Sequence, residues 1–191
     1  MSDQPGALSD KPVGPTPTGH LIFVGLPGAG KSSVGRMVAK TLGRSFMDFD
    51  REIERRTGKT VEQLFAEQGE RAFRDREVGL TRELLAAPPM VWSPGGGWVT
   101  NPGVLTLVRP SSRIIHLLIS PAAALERLTR SRIVRPLLKT ADPRVTMDEL
   151  WANRADLYAQ ADLVIDVEVV DSQQVVERIV ALARNLTTGL G

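Results

Sequence analysis

The chain has 191 residues, with 24 lysines and arginines against 22 aspartates and glutamates, two histidines and no cysteine. This length suits one well-buried domain. The lack of cysteine excludes disulfides, thiolate zinc sites and cysteine nucleophiles, and it fits a reducing, cytoplasmic compartment. The balanced charge does not imply bulk attraction to nucleic acid. No apolar run approaches the ~20 residues of a membrane span, and the N-terminus lacks a signal-peptide pattern, so we expect neither.

A glycine-rich stretch near the N-terminus carries the strongest functional signal. Residues 1–19 hold four prolines and three glycines, which predicts a disordered tail before a single domain at 20–191. The strand Leu21–Val24 then runs into Gly25-Leu26-Pro27-Gly28-Ala29-Gly30-Lys31-Ser32, which matches G-x-x-x-x-G-K-[ST]. Glycines let backbone N–H groups turn around phosphate oxygens, Lys31 can reach the outer phosphates, and Ser32 can bind Mg²⁺. The stretch predicts a nucleoside triphosphate site.

The remaining elements alternate between helical and strand periodicity. We expect helices at about 30–42, 51–56, 60–68, 72–87 and 173–186, helices that start at Asn101, Ser120 and Thr146, and strands at 45–47, 90–92, 113–119 and 163–165. The first helix is expected to bury Val34, Met37 and Val38, and the helix from Thr146 to carry Trp151, Arg154 and Tyr158. Such alternation predicts an α/β fold with a parallel sheet covered on both faces.

Carboxylates at strand ends are the candidates for binding a metal and for activating a substrate. Asp48 and Asp50 follow the short strand at 45–47, whereas the strand at 90–92 runs into Gly95-Gly96-Gly97, whose N–H groups can meet a ligand. Asp166 also follows a strand, but late in the chain, and we interpret it as structural. His116 lies within an apolar run and is expected to be a strand residue. Asp48 and Asp50 are therefore the preferred pair.

The segment from Arg127 to Arg144 is basic and contains two prolines. This composition fits a mobile cover over phosphates, a lid at about 130–145. The alternatives are a solvated basic surface and a nucleic-acid patch. The stacking aromatic residues expected for single-strand binding are absent, which favours the cover.

The motifs together resemble those of the shikimate kinases. They are the phosphate loop, Asp48-x-Asp50, Phe73-Arg74, Gly95-Gly96-Gly97, Arg135-Pro136-Leu137-Leu138 and Asn153-Arg154-Ala155-x-Leu157-Tyr158. The resemblance covers roughly residues 20–187. It implies a three-layer P-loop kinase fold with a central five-stranded parallel sheet, helices on both faces and a mobile lid. It also implies transfer of the ATP γ-phosphate to the 3-hydroxyl of shikimate by a cytoplasmic monomer.

The resemblance also implies a role for each candidate residue. Gly28, Ala29, Gly30, Lys31, Ser32, Ser33 and Arg135 would bind the nucleotide, and Ser32 and Asp48 would hold Mg²⁺. Asp50, Lys31 and Arg135 would be catalytic. Asp50, Phe73, Arg74, Gly95, Gly96, Gly97 and Arg154 would bind the acid substrate, with Phe65 and Phe73 as walls. Two isolated arginines suit this role, because arginine forms paired N–H bonds with a planar carboxylate.

The sequence departs from the family pattern around the glycines. Trp92, Pro94 and Trp98 stand where the family usually has small or aliphatic residues, and Trp98 is expected to narrow or reshape the substrate pocket. Two other functions stay open. One is a related kinase for another small hydroxy acid, such as gluconate. The other is a sensing module that binds ligand without turnover, which the intact Lys31, Asp48, Asp50 and Arg135 argue against.

Overall fold

The computed structural model describes residues 19–130 and 142–185. The predicted tail, except Gly19, therefore lies outside the described residues. So does most of the predicted lid, including Arg135. The lid and the lower domain boundary stay predictions.

Five strands of the described chain form one parallel sheet in the order β2-β3-β1-β4-β5. They are β1 (His20–Val24), β2 (Phe46–Asp48), β3 (Val91–Ser93), β4 (Ser112–Leu118) and β5 (Leu163–Asp166). Every residue of the central strand β1 is buried, as expected for a strand covered on both faces. The predicted five-stranded parallel sheet is confirmed. Its carboxyl edge brings the loop after β1 next to Asp48 and Ser93, which are paired neighbours in β2 and β3.

Helices connect the strands. They are α1 (Lys31–Leu42), α2 (Phe49–Thr57), α3 (Val61–Leu85), α4 (Val104–Val108), α5 (Pro121–Arg130), α6 (Pro143–Ala152), α7 (Ala155–Tyr158) and α8 (Ser172–Asn185). The predicted capping box of Thr60 and Gln63 begins α3, and the predicted break at Gly69 is a non-helical kink within it. Among the helices of the described residues, none is both long and apolar enough to cross a membrane.

The buried face of α1 differs from the prediction at one position. Val34 and Val38 are buried, but Met37 is 39% exposed. The helix instead turns Gly35 toward β2, where an added Cβ would lie 2.7 Å from a ring carbon of Phe46. Because Gly35 has no side chain, α1 packs against Phe46 at this position, and Met37 is left on the more exposed side of the helix.

The helix predicted to start at Asn101 does not start there. The chain first makes a 3-10 turn at Trp98–Thr100, and Asn101 follows this turn. The helix α4 begins only after Gly103, whose φ of 75° suits glycine. The Asn-Pro pattern is typical of a helix cap, but here the asparagine side chain bonds to other partners, described below.

The helix predicted to start at Thr146 begins three residues earlier. The carboxylate of Asp142 accepts hydrogen bonds from the backbone N–H groups of Arg144 and Val145 and so caps α6. The prediction of one helix carrying Trp151, Arg154 and Tyr158 is also wrong. Trp151 lies in α6, whereas Arg154 precedes the separate short helix α7, which ends at Tyr158.

Candidate active site

The glycine-rich loop after β1 is shaped by positions that require glycine. Gly25 and Gly28 have φ of 140° and 88°. A Cβ at either would lie 2.6 Å from a backbone oxygen, that of Leu117 or of Ala124. Gly30 leads into α1 without any side-chain cap, so the first N–H groups of the helix point to the loop. The loop and helix end together have the geometry that the motif predicts for an anion site.

Lys31 is held inside this loop. Its side chain is largely buried, and Nζ donates to the carbonyl oxygens of Gly25 at 2.8 Å and Leu26 at 3.0 Å. These bonds satisfy a buried ammonium group and direct it across the loop. The positive charge therefore lies where the outer phosphates of a bound nucleotide are expected.

Three oxygens meet beside Lys31. Ser32 Oγ donates to Asp48 Oδ2 at 2.7 Å and lies 3.1 Å from Ser93 Oγ. Asp48 also caps α2 by accepting from the N–H of Arg51 at 3.4 Å. Ser93 was not among the predicted site residues. Its place at the end of β3, paired with Asp48 in β2, is the signal that could have identified it.

This oxygen cluster suits Mg²⁺. Within residues 19–130 and 142–185 no group of three or more His, Cys, Asp or Glu side chains could hold a metal. Mg²⁺ bound with a nucleotide does not need such a group, because it uses one or two carboxylates together with phosphate oxygens and water. The donor set of Ser32, Asp48 and Ser93 has the hard oxygens that Mg²⁺ prefers.

Asp50 lies in the first turn of α2, facing the glycine run after β3. A Cβ on Gly95 would lie 2.9 Å from Asp50 Oδ1 and 3.0 Å from Glu77 Oε1. Gly95 therefore leaves open the space that these two carboxyl groups border. Asp50 is one of the predicted site residues, whereas Glu77 was not predicted.

Glu77 and Arg74 form an ion pair on α3. Arg74 Nη1 donates to Glu77 Oε2 at 2.7 Å, and Arg74 Nη2 donates to Glu70 at 2.7 Å. Glu77 is fully buried. Burial raises the pKa of Glu77 to about 7, against the opposing effect of Arg74. Burial lowers the pKa of Arg74, but its attraction and hydrogen bonds to the glutamates outweigh this and raise it overall.

Arg74 and Arg154, the two predicted arginines, lie against two adjacent glycines, Gly97 and Gly96. A Cβ on Gly97 would collide with the Arg74 guanidinium, and one on Gly96 would lie 3.4 Å from Arg154 Nη1. Arg154 is buried, and its Nη1 has no hydrogen-bond partner among the described residues. Tyr158 Oη donates to the carbonyl oxygen of Gly96 at 3.1 Å. Two cationic side chains thus lie against the glycine run, an arrangement that suits a carboxylate ligand.

Phe65 and Phe73 lie beside Arg74, whereas Trp98 lies inside the protein. The rings of Phe65 and Phe73 are 4.9 Å apart, and the Arg74 guanidinium lies 5.9 Å and 5.8 Å from their centroids. Phe73 is buried beneath that guanidinium. The expectation that Trp98 narrows the pocket is wrong, because Trp98 is fully buried and its indole points into the protein.

A cavity of about 630 Å³ joins the loop to the carboxylates. Its walls are Pro27, Gly28, Gly30, Lys31, Ser32, Ser33, Arg36, Asp48, Asp50, Arg51, Glu54, Thr60, Val61, Glu62, Ser93, Pro94, Gly96, Arg127 and Leu128. It is large enough for small-molecule ligands. The phosphate loop and Asp50 therefore face one shared space.

Comparisons with known proteins agree with this geometry. A family model described as shikimate kinase matches residues 27–184. The shikimate kinase of Pseudomonas syringae pv. syringae is 42% identical over 85% of this chain and 94% of its own length. That of Rhizobium meliloti is 40% identical over 85% of this chain and 84% of its own length.

Solved structures give the same result. The structure of shikimate kinase from Acinetobacter baumannii in complex with shikimate has a TM-score of 0.82 and 32% identity, covering 91% of this chain and 96% of that one. A gluconokinase from Sinorhizobium meliloti has a TM-score of 0.62 and 17% identity, covering 93% of this chain and 100% of that one, which shows a shared fold alone. The family match spans most of the chain, and the chain belongs to the shikimate kinase family.

Proposed function

We propose that this chain transfers the γ-phosphoryl group of ATP to the 3-hydroxyl of shikimate, giving shikimate 3-phosphate and ADP. One observation carries the proposal. The phosphate-binding loop, Asp50 and Gly96 line one cavity, and Arg154 and Arg74 lie against Gly96 and Gly97, so a nucleotide and a small hydroxy acid can meet there. In this proposal the enzyme acts in the cytoplasm, as a monomer, on small molecules and not on nucleic acid.

At the nucleotide end, the backbone N–H groups of Gly28, Ala29, Gly30 and Ser33 bind phosphate oxygens, and Lys31 neutralises their charge. Ser32 and Asp48 hold Mg²⁺, with Ser93 beside them. When bound, Mg²⁺ would supply positive charge that offsets the negative charge of the phosphate groups. The loop itself fixes the direction in which the terminal phosphoryl group points.

At the acid end, Arg74 and Arg154 bind the substrate carboxylate, and Gly95, Gly96 and Gly97 offer backbone N–H groups. Phe73 supports the Arg74 guanidinium from below. Asp50 accepts the proton of the attacking hydroxyl. Arg135, which lies outside the described residues, approaches the transferring phosphoryl group from the lid.

The proposal is tested by ADP release with shikimate, quinate or gluconate as acceptor. We expect shikimate to support turnover with the highest kcat/KM. Preference for gluconate would establish the related hydroxy-acid kinase instead, and shikimate binding without ADP release would establish a sensing module.

Lys31→Ala tests the nucleotide end separately. Because Lys31 Nζ is bound to carbonyl oxygens of the phosphate loop, we expect lost turnover with shikimate binding retained. An active Lys31→Ala enzyme would contradict the assignment of the phosphate site.

Two further variants separate chemistry from the lid. Asp50→Asn should reduce kcat by about 10² to 10⁴, the usual contribution of a general base. Arg135→Ala should reduce kcat by roughly 10³ to 10⁵, with little change in shikimate binding when nucleotide is absent. Near-normal turnover of Arg135→Ala at saturating substrates would show that the lid assignment is wrong.

A further inference from the structure

Trp98 connects the glycine run to the helix that carries Arg74. It directly follows Gly97, is fully buried, and donates from Nε1 to Thr81 Oγ1 at 2.9 Å. Thr81, also fully buried, donates its own hydroxyl proton to the carbonyl oxygen of Glu77 at 2.7 Å. One hydroxyl therefore joins the indole to the turn of α3 that contains Glu77.

Asn101 makes a second connection between the same two segments. Its Nδ2 lies 3.3 Å from Glu77 Oε2 and 2.8 Å from the carbonyl oxygen of Trp98, and it donates to both. The same Glu77 oxygen accepts from Arg74. The Trp98 N–H in turn donates to the carbonyl oxygen of Gly95 at 3.0 Å, which closes the turn around the glycine run.

These bonds hold the glycine run at a fixed distance from the Arg74 guanidinium, which is proposed to bind the acid. The backbone at Gly97 lies so close to the Arg74 guanidinium that no side chain fits between them. A shift of the glycine run relative to α3 therefore changes the relation between its N–H groups and the arginine. A displacement of about 1 Å at a binding site can cost roughly 10²-fold in rate.

We propose that Trp98 and Thr81 are positioning residues that hold the glycine run in register with Arg74 and so set the affinity for the acid substrate. The side chains of Trp98 and Thr81 are fully buried, so they touch neither substrate nor nucleotide. The inference rests on the proposed role of Arg74 in binding the substrate carboxylate. It assigns to Trp98 an effect on the acid site that is transmitted through hydrogen bonds and not through the pocket wall.

The test removes each end of the Trp98–Thr81 bond. Trp98→Phe removes the indole N–H, and Thr81→Val removes the acceptor with little change of shape. We expect each variant to raise the KM for shikimate roughly tenfold, well within the effect of a ~1 Å displacement, with the KM for ATP changed less than about twofold. Because either change breaks the same bond, the double variant should resemble the single variants.

Trp92→Phe is the matched control. Trp92 is also fully buried, but its Nε1 has no hydrogen-bond partner among the described residues. This control loses the same atoms and packing without losing a bond. We expect a lower melting temperature with the KM for shikimate unchanged. Thr81→Ser keeps the hydroxyl and should restore a normal KM, which a loss caused by packing alone would not allow.

Equal KM values for shikimate in Trp98→Phe, Thr81→Val and Trp92→Phe would overturn the proposal. If Trp98→Phe does not fold, the comparison of Thr81→Val with Thr81→Ser decides. Arg74→Lys, measured in parallel, tests the acid site itself. An unchanged KM in Arg74→Lys would mean that the proposed acid site is wrong, and with it this inference. If Arg74→Lys raised the KM for shikimate and the Trp98 and Thr81 variants did not, the acid site would stand and only the positioning role would be wrong.

Discussion

At the scale of single residues, Arg74 and Arg154 have the same proposed role but different surroundings. Arg74 neutralises the fully buried Glu77, whereas Arg154 Nη1 has no hydrogen-bond partner among the described residues. Removing Arg74 leaves a buried carboxyl group without its counter-ion, and removing Arg154 leaves no such group. The two side chains should therefore differ in their contribution to stability but not in their effect on acid binding.

We predict that Arg74→Met and Arg154→Met both raise the KM for shikimate and leave the KM for ATP nearly unchanged. Urea unfolding at pH 8 should separate them. Arg74→Met should lose about 3 kcal/mol, the lower end of the cost of breaking a buried ion pair. Arg154→Met should lose roughly 1 kcal/mol or less. Equal losses of stability in the two variants would show that the buried charge of Glu77 is not stabilised by Arg74.

The sequence could predict site residues whose function depends on local spacing. Lys31 and Ser32 belong to a contiguous motif. Glu77 was not predicted, although its i,i+3 spacing from Arg74 places both on one helix face. Ser93 and Trp98 could not be assigned in this way. Their partners, Ser32 and Thr81, are 61 and 17 positions away, and only the sheet order and the path of α3 bring them together.

At the scale of secondary-structure elements, α3 contains two glycines with different backbones. Gly69 has φ of 79° and ψ of 168°, which forms the kink, whereas Gly79 lies in the regular part of the helix. Beyond the adjacent backbone of α3 itself, none of the described residues has an atom within 4 Å of an added Cβ at either position. Substitution by alanine therefore tests the backbone alone at both sites.

We predict opposite effects for the two substitutions. Gly79→Ala should stabilise the protein by about 0.5–1 kcal/mol, because alanine favours a helix more than glycine does. Gly69→Ala should destabilise it by roughly 1–2 kcal/mol, because a side chain at positive φ is strained. Thermal unfolding of both variants beside the unchanged protein measures the difference. A stabilised Gly69→Ala variant would mean that the helix can straighten without loss.

Element boundaries were predictable where the signal was local. The Thr60–Gln63 capping box begins α3 as expected, because both bonds form within one helical turn. The helix predicted from Asn101 does not start there. The side chain of Asn101 is instead oriented by bonds from its Nδ2 to Glu77, 24 positions away, and to the carbonyl oxygen of Trp98. The start of α6 was missed because Asp142 is as good a cap as the threonine chosen.

At the scale of the whole molecule, two buried titratable groups give stability an opposing dependence on pH. Glu77 lies on α3, where burial raises its pKa from 4.5 to about 7. His116 lies on β4, with its ring centroid 4.8 Å from that of Tyr158. Burial, and then the charge of Lys31, lowers the pKa of His116 from 6.5 to about 4. The neutral form of each side chain is favoured in the folded protein.

The direction in which each group changes the stability with pH depends on the difference between its pKa in the folded and unfolded states. The folded pKa of Glu77 is raised, so its contribution is fully present below pH 4.5 and is lost as the pH rises through about 7. The folded pKa of His116 is lowered, so its contribution is present above pH 6.5 and is lost as the pH falls toward about 4. Between about pH 4.5 and 6.5 the two slopes cancel.

Single substitutions should reveal each slope. Relative to the unchanged protein, Glu77→Gln should become more stable as the pH rises from 4.5 to 8, and His116→Leu should become more stable as the pH falls from 6.5 to 4. Each difference should develop between the ordinary and the folded pKa, from 4.5 to about 7 for Glu77 and from 6.5 to about 4 for His116. It should amount to at most about 3 kcal/mol, and to less where water screens the group. Urea unfolding at half-unit pH steps measures both curves, and the subtraction removes every other titrating group. If the two differences changed with pH in the same direction, the two groups would not oppose each other. A flat His116→Leu difference would show that the pKa of His116 is the same in the folded and unfolded states.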